Sequence, residues 1–589
     1  MKMSTSHTRD DSISKHRFLV KPELSALSIA IFLTVIALIF LYQLWDFHPR
    51  VPTVYWGDGL LTLNGLRNMR LGGWYWSTQK LGAPFGQDLH DFPAVADNFN
   101  LVLLWLGLKM FRDEVLTFNL FFFGSYLLTT VSGFIGARIL RLNRSSAVLV
   151  GVIYSFLPFH FQHGPGHLYL SAYWAIPLWV SFLLRELMGE SISPFTQSSL
   201  RSWFFNRSTL LVVLISLIAA STGLYYAFFF LLLATAVLFV GRITQSKPFE
   251  WVPVSLSIFL ATSVMALQYF PVWLYQKQNG SNLSSFARTI AEVEYYSLKI
   301  SNLLLPINGH RISLLAELRG KANQVFLIGE GADALGLFGS IGFCALLIVL
   351  IVKTSENQRV FLKSLAIFML IAVLISTVGG FAQLVSTFGF TQLRVMSRMS
   401  IVIAFPAIVC SAVLLDRFLR NRNRIIRLSS LLVIGTLALL DMNPGHQLPS
   451  FKETAKSWER DRVVVTRVAE RFGNDAMIFQ LPIIPFPENV PVVNMTDYEH
   501  LKGYLHSSTL RWSYGGVKGR VGDWQKSLPE DPKLLVAALE QLNFQGIWIN
   551  RNGYEDRGAL LIDQLSSLGL ELVMKDPNLL VFGLNKTDL

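Results

Sequence analysis

The sequence predicts an α-helical, polytopic membrane protein of about eleven spans followed by a C-terminal α/β domain. Three observations predict it. Only 15% of the 589 residues are charged, against roughly 25% in ordinary soluble domains, while 52% are apolar and the mean hydropathy is +0.43. The apolar residues form blocks of membrane-crossing length rather than short amphipathic periods. From residue 443 the composition changes, and helical and strand-like patterns alternate to the end of the chain.

The first block, 24–44, follows a basic leader containing Lys2, Arg9, Lys15, Arg17 and Lys21. It is too long for the apolar part of a signal peptide, and no small-residue cleavage site follows, so it reads as a retained first span with residues 1–23 on the cytoplasmic side. Apolar length places the remaining spans near 116–137, 147–159, 169–184, 210–220, 226–240, 251–270, 335–352, 361–381, 399–415 and 428–440. The stretch 100–110 is short for a crossing and reads as an interfacial segment.

With the first span running outward, the inner loops carry Arg138, Arg141 and Arg144; Arg185, Arg201 and Arg207; Arg242 and Lys247; Lys353 and Arg359; and Arg417, Arg420, Arg422, Arg424 and Arg427. Cations concentrate on the inner side of membrane proteins, so this pattern sets the orientation. It also accounts for the net charge of +12 without nucleic acid, for which no basic stripe with stacking aromatics is present. An odd number of spans then leaves 24–442 as the transmembrane domain, with long external loops at 45–115 and 271–334 and an extracytoplasmic domain at 443–589. Cys344 and Cys410 each fall inside an apolar block, which provides no disulfide framework or zinc ribbon.

The external tail reads as a small α/β module. Helical patterns at 458–472, 533–542 and 559–568 alternate with apolar runs at 476–481, 545–549, 570–574 and 579–584. The proline-rich segment 481–487 cannot continue a helix and reads as extended chain. The sequence has no phosphate-binding glycine loop, no dinucleotide fingerprint and no internal repeat, which argues against nucleotide-driven transport and repeat-built carriers.

Chemistry-bearing residues cluster at the outer ends of the spans. Tyr55-Trp56-Gly57-Asp58-Gly59 follows the first span, with a carboxylate between glycines that permit close backbone approach. Asp58 is the candidate general base; the alternative is a turn-forming aspartate that ends the membrane helix. Further along, Asp88, His90 and Asp91 are three ionisable groups within four residues beside a Gly/Pro turn, suited to holding a sugar or orienting a base. Their spacing is too generic to define a divalent-metal site, and Asp97 reads as a solvated loop residue.

The segment Pro158-Phe159-His160-Phe161-Gln162-His163-Gly164-Pro165-Gly166-His167 would gather three histidines on one face if helical, which suits a metal. Pro165 between two glycines breaks such a helix, so His167, with His163 beside it, reads instead as a hydrogen-bonding or phosphate-contacting residue. His310 and Arg311 in the second external loop, followed by Arg319, Lys321 and Glu330, and Arg394 and Arg398 before the tenth span, either reach toward lipid phosphate or form an anion site together.

Taken together, the first span, an acidic residue opening the first external loop, many further spans and an external C-terminal domain resemble the GT-C superfamily of polyprenyl-phosphate-dependent glycosyltransferases. More narrowly, Gly57-Asp58-Gly59, Leu81-Gly82-Ala83-Pro84-Phe85-Gly86, Pro158-Phe159-His160, Gly166-His167-Leu168, Asp497-Tyr498-Glu499-His500 and Leu510-Arg511-Trp512-Ser513-Tyr514-Gly515 are similar to blocks in a YfhO-like group of bacterial membrane proteins. Better-known GT-C members often carry paired acidic residues in this loop. Here Asp58 stands between glycines, which leaves open whether it acts alone or with Asp88 or Asp91.

The resemblance implies an inverting glycosyltransferase of the bacterial inner membrane. It would move a hexosyl or pentosyl unit from a polyprenyl-phosphate donor to an envelope glycan or lipid acceptor on the outer face. Asp58 would deprotonate the acceptor hydroxyl, and His310, Arg311, Arg394, Arg398 and His167 would receive the phosphate. Asp88, His90, Asp91 and His163 would shape the substrate site. The donor's apolar tail would lie among spans and membrane lipids. No resident cofactor is required, although a divalent metal is compatible with the site. The competing readings are a transporter or flippase of lipid-linked saccharide and a non-catalytic polysaccharide-assembly protein.

Overall fold

A computed structural model describes residues 10–94, 96–195, 200–244, 250–285, 289–352, 356–389, 391–444 and 450–584. Lys2, Arg9, Lys247 and Lys353 of the expected cytoplasmic charge pattern lie outside them. Nine helices among the described residues are long and apolar enough to cross a membrane: Lys21–Leu41, Glu114–Ile139, Arg144–His163, Pro165–Leu187, Leu224–Ile243, Trp251–Asn279, Arg359–Ser376, Met396–Phe418 and Arg424–Met442. The remaining two expected spans correspond to Arg207–Ala219 and Gly336–Ile351, of 13 and 16 residues. At about 1.5 Å per residue these reach roughly 20 and 24 Å, short of the ~30 Å hydrocarbon core. Among the described residues nine helices thus reach crossing length, two fewer than the expected eleven. The stretch expected to be interfacial forms the apolar helix Asn98–Phe111.

Local sequence explains several helix boundaries. Asp113, Asn143 and Asn423 each cap a helix by accepting a hydrogen bond, from the backbone N–H of Leu116 (2.9 Å), Ser146 (3.0 Å) and Ile426 (2.8 Å). The helix carrying Pro158 stops at His163, and a new turn starts at Pro165. Small residues bring neighbouring helices together. A Cβ on Gly342 would lie 1.9 Å from the carbonyl oxygen of Ala407.

Four of the arginines expected in inner loops meet acidic partners. Arg138 and Arg144 both pair with Glu23 at the start of the first span, at 2.8 and 2.9 Å, and Arg141 and Arg185 pair with Glu190. Asp58 lies beyond the other end of that span.

The tail begins with the helix Phe451–Phe472 and builds a five-stranded sheet. Its strands follow the short pair β1 (Ser77–Thr78) and β2 (Gln87–Asp88) of the first external loop. They are β3 (Met477–Leu481), β4 (Arg511–Trp512), β5 (Phe544–Asn550), β6 (Glu571–Lys575) and β7 (Leu579–Gly583), in the order β4-β3-β5-β7-β6. The β4-β3-β5 part is parallel and the β5-β7-β6 part antiparallel. Helices Pro532–Gln541 and Ala559–Ser567 fall where the periodicity placed them.

This module docks on the loop 45–115 through its β4 edge. The Trp512 N–H donates to the Lys80 carbonyl (2.9 Å), and the N–H groups of Gly82 and Ala83 donate to the carbonyls of Tyr514 (2.8 Å) and Trp512 (2.9 Å). Loop backbone thus covers an edge that would otherwise present unpaired polar groups. Leu60, Leu63 and Leu66 from the loop side share one buried core with Tyr504, Trp512 and Trp548 from the tail.

Candidate active site

Asp58 is the first residue of the helix Asp58–Gly72. Gly57 caps that helix with φ at +55°, a left-handed conformation that favours glycine and turns the chain into the helix. The negative charge therefore sits at a helix N-terminus, where the peptide dipoles favour it. The carboxylate lines a cavity of about 310 Å³ together with Asp97, His167 and Arg398, and Tyr75, Tyr169, Tyr225 and Tyr226 contribute aromatic walls.

His167 Nδ1 lies 2.9 Å from Asp58 Oδ2, with both side chains about half exposed. Behind His167 stands His163, with ring centroids 5.5 Å apart. His163 Nε2 is 3.2 Å from Glu330 Oε2, and the same carboxylate accepts from Arg398 Nε at 3.0 Å and Nη2 at 2.5 Å. Arg398 also lies over the Tyr225 ring, 4.5 Å from its centroid. Burial alone would raise the Glu330 carboxyl, but the hydrogen bonds from His163 and Arg398 hold it well below the usual range. A continuous polar file therefore runs from the half-exposed Asp58 to a buried, charged Glu330–Arg398 pair.

Asp97 contributes a second carboxyl to the cavity. Burial pushes it up to about 7, against a hydrogen bond from Asn100. It was expected to be a solvated loop residue; the structure corrects this, because Asp97 precedes the helix Asn98–Phe111 and is enclosed where that helix meets the bundle. No local sequence signal marks it. The tail reaches the same region at Asp497. Burial pushes the Asp497 carboxyl up to about 6, and the charges of Asp58 and Glu488 act in the same direction, against two backbone hydrogen bonds. Asp497 is thus within electrostatic reach of Asp58.

The other sequence candidates are placed elsewhere. Asp88 Oδ1 is 2.6 Å from His90 Nδ1, and the imidazole is stacked between Trp76 and Tyr275 at centroid distances of 4.4 and 4.7 Å. Asp91 accepts from Arg520 Nε (2.5 Å) and Nη2 (3.2 Å) and from Asn282 (3.1 Å). His310 pairs with Asp441 at 3.2 Å, Arg311 donates to Asn443, and Arg394 pairs with Glu292. None of these six lines the Asp58 cavity. His310, Arg311 and Arg394 are each held by an acidic or amide partner distant in sequence.

The histidine segment does not converge on a metal. His160 is buried, with its ring nitrogens at Ser155 O (3.0 Å) and Ser125 Oγ (2.9 Å), and His163 Nδ1 lies 3.1 Å from the Phe159 carbonyl oxygen. Among the described residues, no group of three or more His, Cys, Asp or Glu side chains is placed to hold a metal ion.

Solved structures with a similar fold include the apo oligosaccharyltransferase of Archaeoglobus fulgidus, with a TM-score of 0.51 at 14% identity over 90% of this chain and 69% of that one. ArnT from Cupriavidus metallidurans in the apo state also has a TM-score of 0.51, at 13% identity over 95% and 98% of the two chains. A second ArnT structure, bound to undecaprenyl phosphate, aligns at 0.49 and 13% identity over 97% and 98%. No family model matches the sequence, and no curated protein matches it. The chain is a polytopic membrane protein that shares the fold of these structures and carries a C-terminal α/β module.

Proposed function

We propose that this protein is an inverting glycosyltransferase that moves a sugar from a polyprenyl phosphate to an envelope glycan or lipid acceptor on the outer face of the bacterial inner membrane. The observation that carries the reading is one cavity containing the Asp58–His167 pair and the Arg398 guanidinium at the end of the bundle away from the arginine-rich loops. Transfer of this kind needs a base for the acceptor hydroxyl and a cation for the departing phosphate.

In this mechanism the acceptor oxygen attacks the anomeric carbon as the bond from that carbon to the phosphate oxygen breaks. The hydroxyl proton passes to Asp58, held in position by His167, and the electron pair of the broken bond stays on the phosphate. Arg398 receives that charge through Nη1, the guanidinium nitrogen that makes no hydrogen bond among the described residues. Direct displacement inverts the anomeric centre. His163 and Glu330 fix Arg398 from behind. The neutral fraction of Asp97 gives the cavity a hydrogen-bond donor near neutral pH, suited to a sugar oxygen. Asp88, His90, Asp91, His310, Arg311 and Arg394 take no direct part in this version of the site.

The test is transfer from radiolabelled polyprenyl-phosphate sugars to a panel of envelope glycans and lipids. Asp58→Asn should reduce transfer about 10²–10⁴-fold, the scale of a lost general base, with little change in donor KM. Wild-type-like turnover by folded Asp58→Asn protein would refute the mechanism and favour a carrier.

A further inference from the structure

A second cavity, of about 220 Å³, lies in the tail, where β5 ends and β7 begins. The helix Phe451–Phe472 contributes Ser457, Arg460 and Asp461 at one side, Glu499 and Lys502 close another, and Trp548 and Asn550 form the strand side. This is the end at which the parallel strands β3 and β5 stop, the edge where sheets with parallel strands commonly bind ligands.

Its charges cancel locally. Asp461, 3% exposed at its side chain, accepts from Arg460 Nε (2.9 Å) and Nη2 (2.7 Å), and Glu499 pairs with Lys502 at 2.6 Å. Arg460 and Lys502 are each paired with a carboxylate that also lines the cavity, so these four side chains sum to zero net charge. Two donors nevertheless lack a protein partner among the described residues. They are Asn550 Nδ2, whose Oδ1 accepts from the Asn552 N–H, and the indole Nε1 of Trp548. Both residues line the cavity, and they are only 6% and 4% exposed. Neither nitrogen is a sealed, unpaired atom, so both stay open to a ligand or water in the cavity.

We propose that this cavity binds one neutral sugar ring. Its volume is below the roughly 300–1,000 Å³ of clefts for drug-sized ligands, which suits a single ring. Carboxylates and amides in fixed pairs can accept from and donate to neighbouring hydroxyls. Asp461 and Glu499, the partners of Arg460 and Lys502, themselves line this pocket, whereas Glu330, the partner of Arg398, does not line the Asp58 cavity. Lys502 stacks over the Tyr55 ring, 4.6 Å from its centroid, and Tyr55 is three residues ahead of Asp58. The bound ring would therefore belong to the glycan acceptor, an assignment that rests on the transferase reading, whereas sugar binding itself does not.

The experiment titrates the purified full-length protein in nanodiscs with methyl glycosides of glucose, galactose, mannose and N-acetylglucosamine, followed by saturation-transfer NMR. Glucuronate and inorganic phosphate serve as charged controls. At least one neutral glycoside should saturate wild type and Asp58→Asn equally, without competition from phosphate. Asn550→Ala should weaken it about tenfold, the scale of a lost hydrogen bond to a buried group. If Asn550→Ala fails to fold, Ser457→Trp decides, because Ser457 lies on a partly exposed helix face and a large side chain there would fill the cavity.

Absence of saturable binding by every neutral glycoside would overturn the proposal. So would binding that Asp58→Asn abolishes and Ser457→Trp leaves intact, which would move the sugar to the first cavity. Loss of the transferase reading through an active Asp58→Asn protein leaves these outcomes unaffected.

Discussion

Asp91 separates a clamp from a substrate ligand. Its carboxylate, 2% exposed, joins the first external loop to the tail by accepting two hydrogen bonds from Arg520 and one from Asn282. Breaking a buried ion pair by removing one partner costs about 3–5 kcal/mol. Asp91→Asn should fall at the lower end, because Arg520 is 19% exposed and still donates to the carbonyls of Asn279 (2.5 Å) and Gly280 (2.7 Å). A loss of about 3 kcal/mol corresponds to roughly a 100-fold larger population in which the segment around Arg520 is detached, at 1.4 kcal/mol per tenfold. Limited proteolysis of the full-length protein in nanodiscs reads this population when opening and closing are faster than cleavage. A cycle of Asp91→Asn, Arg520→Met and the double variant isolates the pair, with an expected coupling of about 0.5–3 kcal/mol. Additive effects, or an Asp91→Asn protein with wild-type proteolysis and an altered donor KM, would refute the clamp and return Asp91 to the sugar site.

The remaining predictions concern carboxylates and helix packing. Asp97 has a folded-state value near 7 against an ordinary 3.8, so its ionisation opposes folding. That penalty is absent below about pH 4, grows as pH rises toward 7 and is complete above it. Thermal unfolding of Asp97→Asn should therefore show a gain over wild type that appears between these limits; a pH-independent difference contradicts the assignment. Glu330→Gln leaves Arg398, whose side chain is 12% exposed, without its counter-charge and should cost about 3 kcal/mol at neutral pH. The Glu330 value is depressed below its ordinary 4.5, so its stabilisation is full above that pH and disappears on acidification; melting curves of wild type and Glu330→Gln should converge as pH falls. Gly342→Ala places a methyl against the Ala407 carbonyl and should destabilise by about 1–3 kcal/mol in a reversible detergent titration, whereas an unchanged midpoint would show that the two helices separate freely.

The membrane helices and the alternating tail were legible because their signals are local. A span needs a run of apolar residues, and the tail helices need apolar positions at helical spacing. Both read correctly over Glu114–Ile139 and Pro532–Gln541. Length alone could not separate the nine long helices from the 13-residue Arg207–Ala219 and the 16-residue Gly336–Ile351. The two-residue strand β4 carried no periodicity at all. It exists because Trp512 is bracketed by β3 and by the backbone of residues 80–83, more than 400 positions earlier in the chain.

The same distinction governs the site. Asp58 stood out through its glycines and its place after the first span, and His167 through the Pro165 break, both local features that the fold brings into contact. A cation's role depends instead on the carboxylate that reaches it first. Arg394 and Arg398 are four residues apart and equivalent by sequence, yet one pairs with Glu292 outside the cavity and the other is turned into it by Glu330 and the Tyr225 ring. Exchanging those partners would exchange the roles. Glu330→Gln therefore bears on function as well as stability: if Arg398 is the phosphate's cation, loosening it should lower transfer while leaving Asp58 and His167 in place.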